Sequence, residues 1–328
     1  MTGQARIRVG VVGCGGIAAS YLGAIGEVAE LQLAGVVDVD AARRDAVARQ
    51  TGVPPFPTLG AMLDEGGIDA ALVLTPPVTH EELAVQLLRA GKHVLCEKPL
   101  TTTARAAERM LAAAATTGRT LMMGSKFRFV DDMAKARALL NEGTIGDLLL
   151  FENVFCARVD MTKRWNSRRE VSGGGVLIDN GSHSVDVARY LCGPIAWVQA
   201  QFARNVQPIE VEDTCRLLLE TEAGAVGAID LSWSVHKEVP SFVRLYGAKG
   251  TIEVGWKVSR YKRDGDAEWT VFGSGYDKKA AFRNQLRNFA RNIRGAEAPV
   301  ITAEDAILSV RVIEAAYRSA RERQWQEV

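Results

Sequence analysis

Lys98 stands at the end of a short apolar run, in Val94-Leu95-Cys96-Glu97-Lys98-Pro99-Leu100. Charged residues at the C-terminal end of a buried strand mark the place where open α/β sheets keep their ligands. Proline has no N–H and stops further strand pairing. Lys98 is therefore read as the centre of an active site, as a donor or a base. A second set of chemical groups lies in Gly173-Gly174-Gly175-Val176-Leu177-Ile178-Asp179-Asn180-Gly181-Ser182-His183-Ser184-Val185-Asp186. A helix from about 176 to 191 would put Asp179 and His183 at i and i+4, one turn apart on one face. Such a pair suits proton transfer, because the carboxylate favours the imidazolium and orients the ring while histidine titrates near neutrality. The same spacing also fits a surface helix with an ordinary charge pair.

The third set is Gly13-Cys14-Gly15-Gly16-Ile17-Ala18, a G-x-G-x-x-A turn after a β-branched run. Gly13 permits the tight turn, Gly15 lets the backbone approach a pyrophosphate, and Ala18 allows close helix–strand packing. Gly16 and Ile17 open the helix whose N-terminal N–H groups would face the phosphates. Asp38 follows at the end of the next strand, about twenty residues on, where an acid bonds the adenosine ribose. A carboxylate there repels a 2′-phosphate, which favours NAD; Arg43 and Arg44 nearby keep NADP open. Thr75-Pro76-Pro77 falls at another strand end and forms a turn stiff enough to press on the cofactor, or else a plain loop before a helix. His80 is either a contact to nicotinamide or ribose or a first-turn surface histidine. His93 precedes a strand and reads as structural.

These groups need a scaffold, and the patterning supplies one. Strands at 6–12, 33–37, 70–74, 93–96 and 120–124 alternate with helices at about 17–26, 41–50, 59–65, 80–90 and 104–117. That alternation implies a doubly wound parallel sheet, an α/β dinucleotide-binding domain over residues 1–123. Thr79 with Glu82 reads as a capping box for the helix at 80–90, and Gly91 suits its C′ position. After Gly124 the pattern changes. One helix, 131–142, leads into strands at 147–157, 197–203, 214–220, 225–234, 241–246 and 251–254 with turns between them. Consecutive strands imply a large, mainly antiparallel sheet in an α+β domain over 124–328. One face of that sheet would pack on helices; the other would take a partner copy, giving a homodimer or homotetramer. Helices at 278–294 and 302–323 close the chain. The polar loop 158–172 carries Lys163, Arg164, Trp165, Asn166, Arg168 and Arg169. Trp165 could stack on the C–H face of a sugar ring while the donors take hydroxyls, or the loop is a subunit contact or solvated flap.

Composition bounds the rest. Forty basic against 39 acidic residues leave a net charge of +1, which argues against nucleic acid or an anionic membrane as the main partner. No apolar run reaches ~18 residues, so no membrane span is expected. The five cysteines (Cys14, Cys96, Cys156, Cys192, Cys215) are scattered and lack CxxC spacing, which points to a reducing cytoplasm and away from disulfides or a metal site. The stretch Met1–Arg8 is short and polar, without a signal-peptide pattern.

Taken in order, Gly13-Cys14-Gly15-Gly16-Ile17-Ala18, Asp38, Thr75-Pro76-Pro77 with His80, Glu97-Lys98-Pro99, and Gly173-Gly174-Gly175 with Asp179, Gly181, His183 and Asp186 resemble the family named after glucose–fructose oxidoreductase, inositol 2-dehydrogenase and MocA. The resemblance implies an NAD(P)-dependent dehydrogenase acting on a secondary alcohol or ketone of a sugar or cyclitol such as inositol. It implies that Lys98, Asp179 and His183 form the catalytic group, and that Glu97 and Lys98 border the cofactor. Lys126-Phe127-Arg128 sits where relatives often carry an aromatic–Arg pair, which makes Arg128 a candidate substrate ligand. In this reading His183 takes the hydroxyl proton and Lys98 stabilises the alkoxide. Two alternatives remain: a phosphorylated or nucleotide-linked sugar as substrate, its phosphate held by the cationic loop 163–169, and a non-enzymatic NAD sensor.

Overall fold

Short apolar strands separated by helices build the first part of the chain. The computed structural model describes residues 5–328; Met1–Gln4, the start of the polar N-terminal stretch, lie outside the described residues. The first elements are β1 (Ile7–Val12), α1 (Ala18–Ile25), β2 (Leu31–Val37), α2 (Ala41–Thr51), β3 (Pro55–Phe56), α3 (Leu59–Glu65), β4 (Ala70–Val73), α4 (His80–Arg89), β5 (His93–Glu97), α5 (Ala104–Thr117) and β6 (Leu121–Gly124). All six strands run parallel in the order β3-β2-β1-β4-β5-β6. The chain winds outwards from β1 to β3 and then returns to place β4 on the other side of β1. The switch point therefore lies at the C-terminal ends of β1 and β4, where doubly wound folds bind ligands. β4 is buried along its whole length, as a strand covered on both faces must be. His93 is structural: its Nδ1 accepts the Thr120 N–H at 3.0 Å, at the start of β6.

The next elements are α6 (Asp131–Asn141), β7 (Leu148–Cys156), α7 (Arg169–Ser172), α8 (Val176–Cys192), β8 (Ile195–Phe202), β9 (Thr214–Thr221), β10 (Val226–Ser232), β11 (Ser241–Gly247), β12 (Gly250–Gly255), β13 (Ser259–Arg263) and β14 (Thr270–Gly273). They are followed by α9 (Lys278–Ile293), α10 (Ala303–Glu322) and β15 (Gln326–Glu327). Nine strands form a second sheet in the order β14-β13-β12-β11-β7-β10-β9-β8-β15, antiparallel except for the β7/β10 pair. Strand β9 shows the two faces plainly: Cys215, Leu217 and Leu219 are buried, whereas Arg216, Leu218 and Glu220 are exposed. Helix α8 packs against β7, β9 and β10. Val176, Leu177, Val185 and Val187 on it are fully buried, each such aliphatic side chain contributing roughly 1.5–3 kcal/mol.

The chain divides into two compact units, one reaching to Lys126 and taking in Lys278–Ile307, the other Phe127–Asp277 with Leu308–Val328. A single cut after residue 123 misses this return of the chain. Its physical cause is the packing of α9 on α1: Tyr21 meets Phe282 edge-on at 4.8 Å, and Arg283 pairs with Glu27 at 3.0 Å. Among the described residues, no helix is long and apolar enough to cross a membrane.

Candidate active site

In the first unit, β1 delivers Gly13 to the switch point in a left-handed conformation, φ +101°. A Cβ there would lie 2.7 Å from the Leu74 carbonyl oxygen, so only glycine lets β1 turn this close to β4. At Gly15 and Gly16 an added Cβ would meet nothing within 4 Å, which leaves open space over the turn. No side chain caps the start of α1, and its first turn carries no acid. Asp38 closes the cradle: its carboxylate accepts the Cys14 N–H at 2.6 Å and the Asp40 N–H at 2.8 Å. The acid is thus fixed to the glycine turn itself and retains lone pairs for ribose hydroxyls. Arg43 and Arg44 are engaged with Asp40 at 3.1 Å and Asp45 at 2.8 Å. An open glycine turn, an uncapped helix start and a fixed carboxylate fit a dinucleotide, and the carboxylate fits one without a 2′-phosphate.

Thr75-Pro76-Pro77 leaves β4 and enters α4 through a short 3-10 turn, Pro77–Thr79. The capping box is not formed. Thr79 has helical angles (φ −99°, ψ −8°) and makes no side-chain cap; its Oγ1 instead lies 2.7 Å from Thr75 Oγ1. A capping side chain needs extended backbone, which the 3-10 entry denies it. His80 is not on the surface. It is fully buried, with Nε2 2.8 Å from the Thr75 carbonyl and Nδ1 3.0 Å and 3.2 Å from those of Pro99 and Leu100. Burial pushes its pKa down, against the three carbonyls that favour the charged ring. His80 therefore ties the end of β4 to the segment after Lys98.

Glu97 is buried as well. Its carboxylate accepts the Tyr21 hydroxyl at 2.7 Å and the Lys98 N–H at 3.0 Å, and Gln285 donates to Tyr21 at 2.9 Å. Burial raises the Glu97 pKa, opposed by the nearby Lys98 and the Tyr21 hydrogen bond. This buried chain from α9 through α1 to β5 fixes the backbone that carries Lys98. Lys98 itself is half-buried at the end of β5, joined to Pro99 by a cis peptide.

In the second unit, α8 carries Asp179 and His183 one turn apart, as the spacing predicts. His183 is 7% exposed and meets Phe127 edge-to-face at 5.0 Å; Phe127 in turn stacks on Tyr276 at 5.2 Å. Asn166, from the polar loop, donates to the Asp179 carboxylate at 3.3 Å. Trp165 beside it lies in a short 3-10 turn at 39% exposure. Arg128 lies against α8. It is 4% exposed and pairs with Asp186 of α8 at 2.7 Å, with its guanidinium 5.3 Å from the Tyr190 ring. The residues that sequence reading passed over are Glu212, which holds the start of α8, and Tyr276, stacked on the Phe127 ring that meets His183. No local motif announces them, because their partners lie far away in the chain.

A glycine cradle at the switch point of a doubly wound sheet defines a dinucleotide-binding protein. Residues 7–125 match the oxidoreductase family with an NAD-binding Rossmann fold, Gfo/Idh/MocA, and residues 133–253 match that family's C-terminal domain. The chain is 30% identical over 317 residues to the rhizopine catabolism protein MocA of Rhizobium meliloti, covering 95% of this chain and 94% of MocA. It is 29% identical over 324 residues to inositol 2-dehydrogenase 2 of Saccharopolyspora erythraea, covering 95% and 93% of the two. The WlbA dehydrogenase from Bordetella pertussis, solved with NADH and UDP-GlcNAcA, matches with a TM-score of 0.87 at 25% identity, over 99% of this chain and 98% of that one. The chain belongs to the Gfo/Idh/MocA family of NAD-binding oxidoreductases. That membership sets aside the reading as a non-enzymatic sensor.

Proposed function

We propose that the protein transfers a hydride between NAD and a secondary alcohol or ketone of a sugar or cyclitol, inositol among them. The observation that carries this reading is His183, nearly buried on α8, one turn from an Asp179 carboxylate already held by Asn166. That is an arrangement for moving a proton. Bound NAD supplies the hydride acceptor. His183 takes the hydroxyl proton in oxidation and returns it in reduction, while Asp179 favours the imidazolium. Lys98 donates a hydrogen bond to the reacting oxygen and stabilises its developing charge. A lysine ammonium carries N–H donors and an imidazole can accept a proton, so the two residue types divide the work. Gly13, Gly15, Gly16, Ile17 and Asp38 hold the dinucleotide, with Thr75, Pro76 and Pro77 bordering it. Trp165 and Asn166 meet the substrate.

The second reading is a phosphorylated or nucleotide-linked sugar. Lys163, Arg164 and Arg168 are exposed on the polar loop, which supports it; Arg169 is already bound to Glu210. The protein would work in the cytoplasm, where its five thiols stay reduced. The test is NADH absorbance with a panel of inositols, aldoses, sugar phosphates and UDP-sugars. Turnover with a free polyol supports the first reading, turnover with the nucleotide sugars alone supports the second, and silence across the panel with tight NADH binding overturns both.

A further inference from the structure

The three glycines before α8 have an unexpected neighbour. Gly175 and Leu177 both donate their N–H groups to Glu212 Oε1, at 2.9 Å and 3.2 Å. Between them, Val176 donates to the backbone oxygen of the same residue at 2.9 Å. Three successive amides at the start of α8 thus end on Glu212. Helix starts leave such N–H groups unsatisfied unless a side chain or ligand takes them, and an anion there is favoured by the helix dipole. The Tyr317 hydroxyl donates to the same Oε1 at 2.7 Å, and Glu212 is 6% exposed.

The glycines make room for this contact. A Cβ on Gly174 would stand 2.0 Å from the Tyr317 hydroxyl, and one on Gly175 would stand 2.0 Å from the Glu212 carbonyl oxygen. The neighbouring Glu210 serves the polar loop. Its N–H donates to the Ser167 carbonyl at 3.3 Å, and its carboxylate accepts the Arg169 N–H at 3.1 Å. Asn166, which reaches Asp179, lies between these ties and the start of the loop.

We propose that Glu212, backed by Tyr317, is a positioning residue that sets the register of α8 and hence the placement of Asp179 and His183. Asp179 is the fourth residue of α8 and its N–H bonds the Gly175 carbonyl at 3.0 Å, so a shift at Gly175 passes straight to it. The inference rests on the reading of Asp179 and His183 as the acid–base pair. Its structural half can be tested without that reading.

The experiment compares Glu212→Gln, Glu212→Ala and Tyr317→Phe with the wild-type full chain. Hydrogen exchange at the amides of 175–179 needs no substrate. Glu212→Ala should speed it by ~10-fold or more while exchange in β9 and β10 holds, since local openings are read segment by segment. Glu212→Gln keeps an acceptor oxygen of the same reach and should restore part of the protection. With a substrate in hand, Glu212→Ala should lower kcat by ~10-fold to 10²-fold, the scale of a 1 Å misplacement. KM and the NADH dissociation constant should change little. His183→Ala, run alongside, keeps the two ideas apart: full activity there sinks the acid–base reading and leaves the exchange result to stand. If Glu212→Ala fails to fold, Tyr317→Phe and Glu212→Gln give the same readouts at smaller size. Unchanged exchange at 175–179 in all soluble variants overturns the proposal, as does unchanged kcat in all three alongside an inactive His183→Ala.

Discussion

Single residues separate into those that face a ligand and those that hold the former in place. Arg128 belongs to the second kind by its buried pairing. Its charge is buried against Asp186, and removing one partner of such a pair strands the other. Arg128→Ala should cost about 3–5 kcal/mol, read as a lower urea midpoint at unchanged slope, whereas Arg128→Met with Asp186→Leu should recover much of it. Gly13→Ala should abolish NADH binding in a fluorescence titration, because φ +101° and the Leu74 carbonyl both oppose a side chain. The glycine turn and the strand ends that carry Asp38 and Lys98 are legible in the sequence because such places are local: a strand end, a turn, a following helix. His80, Glu97 and Arg128 are not, since what decides their roles is a partner up to 76 positions away, as between Glu97 and Tyr21. A buried tie and a ligand-facing side chain look alike until that partner is seen.

Elements were legible in proportion to their length and burial. Helix α5 follows its apolar pattern from Ala104 to Thr117, with Thr103 as a side-chain cap and Gly118 left-handed at its end. The short strands β3, β13, β14 and β15 carry no such pattern. β3 is two residues long and β13 reads Ser-Arg-Tyr-Lys-Arg, so pairing with a neighbour, not side-chain alternation, makes them strands. The turn between β8 and β9 is organised by Asp213. Burial pushes its carboxyl up, but the Gln207 and Val206 amides and the Ser234 and Thr214 hydroxyls outweigh it, and the net shift is downwards. A depressed folded pKa contributes stability above the unfolded value of ~3.9 and loses it as pH falls through the folded value. Asp213→Asn should therefore lower Tm at neutral pH and flatten the fall of Tm below about pH 4, as a pH series of melting curves would show.

At the scale of the whole molecule, two compact units and their family membership are established, and the assembly is an expectation. The outer face of the second sheet exposes Leu150, Leu218 and Val226 amid ion pairs such as Arg216–Asp230. We propose that a second copy covers it; Leu218→Glu should then halve the mass seen by light scattering, and a monomeric wild type would refute the idea. The return of α9 to the first unit was hidden because a basic helix looks like any solvated one until its apolar side, Phe282, Leu286 and Phe289, is seen buried. We propose that Lys98 and His183 do the chemistry on a substrate oxidised by NAD. Single-turnover stopped-flow, following NADH formation with the substrate found by the panel, tests it most directly. Lys98→Ala and His183→Ala should each bind NAD as the wild type does and slow hydride transfer by ~10²-fold or more. Near-normal transfer in both variants would contradict the account.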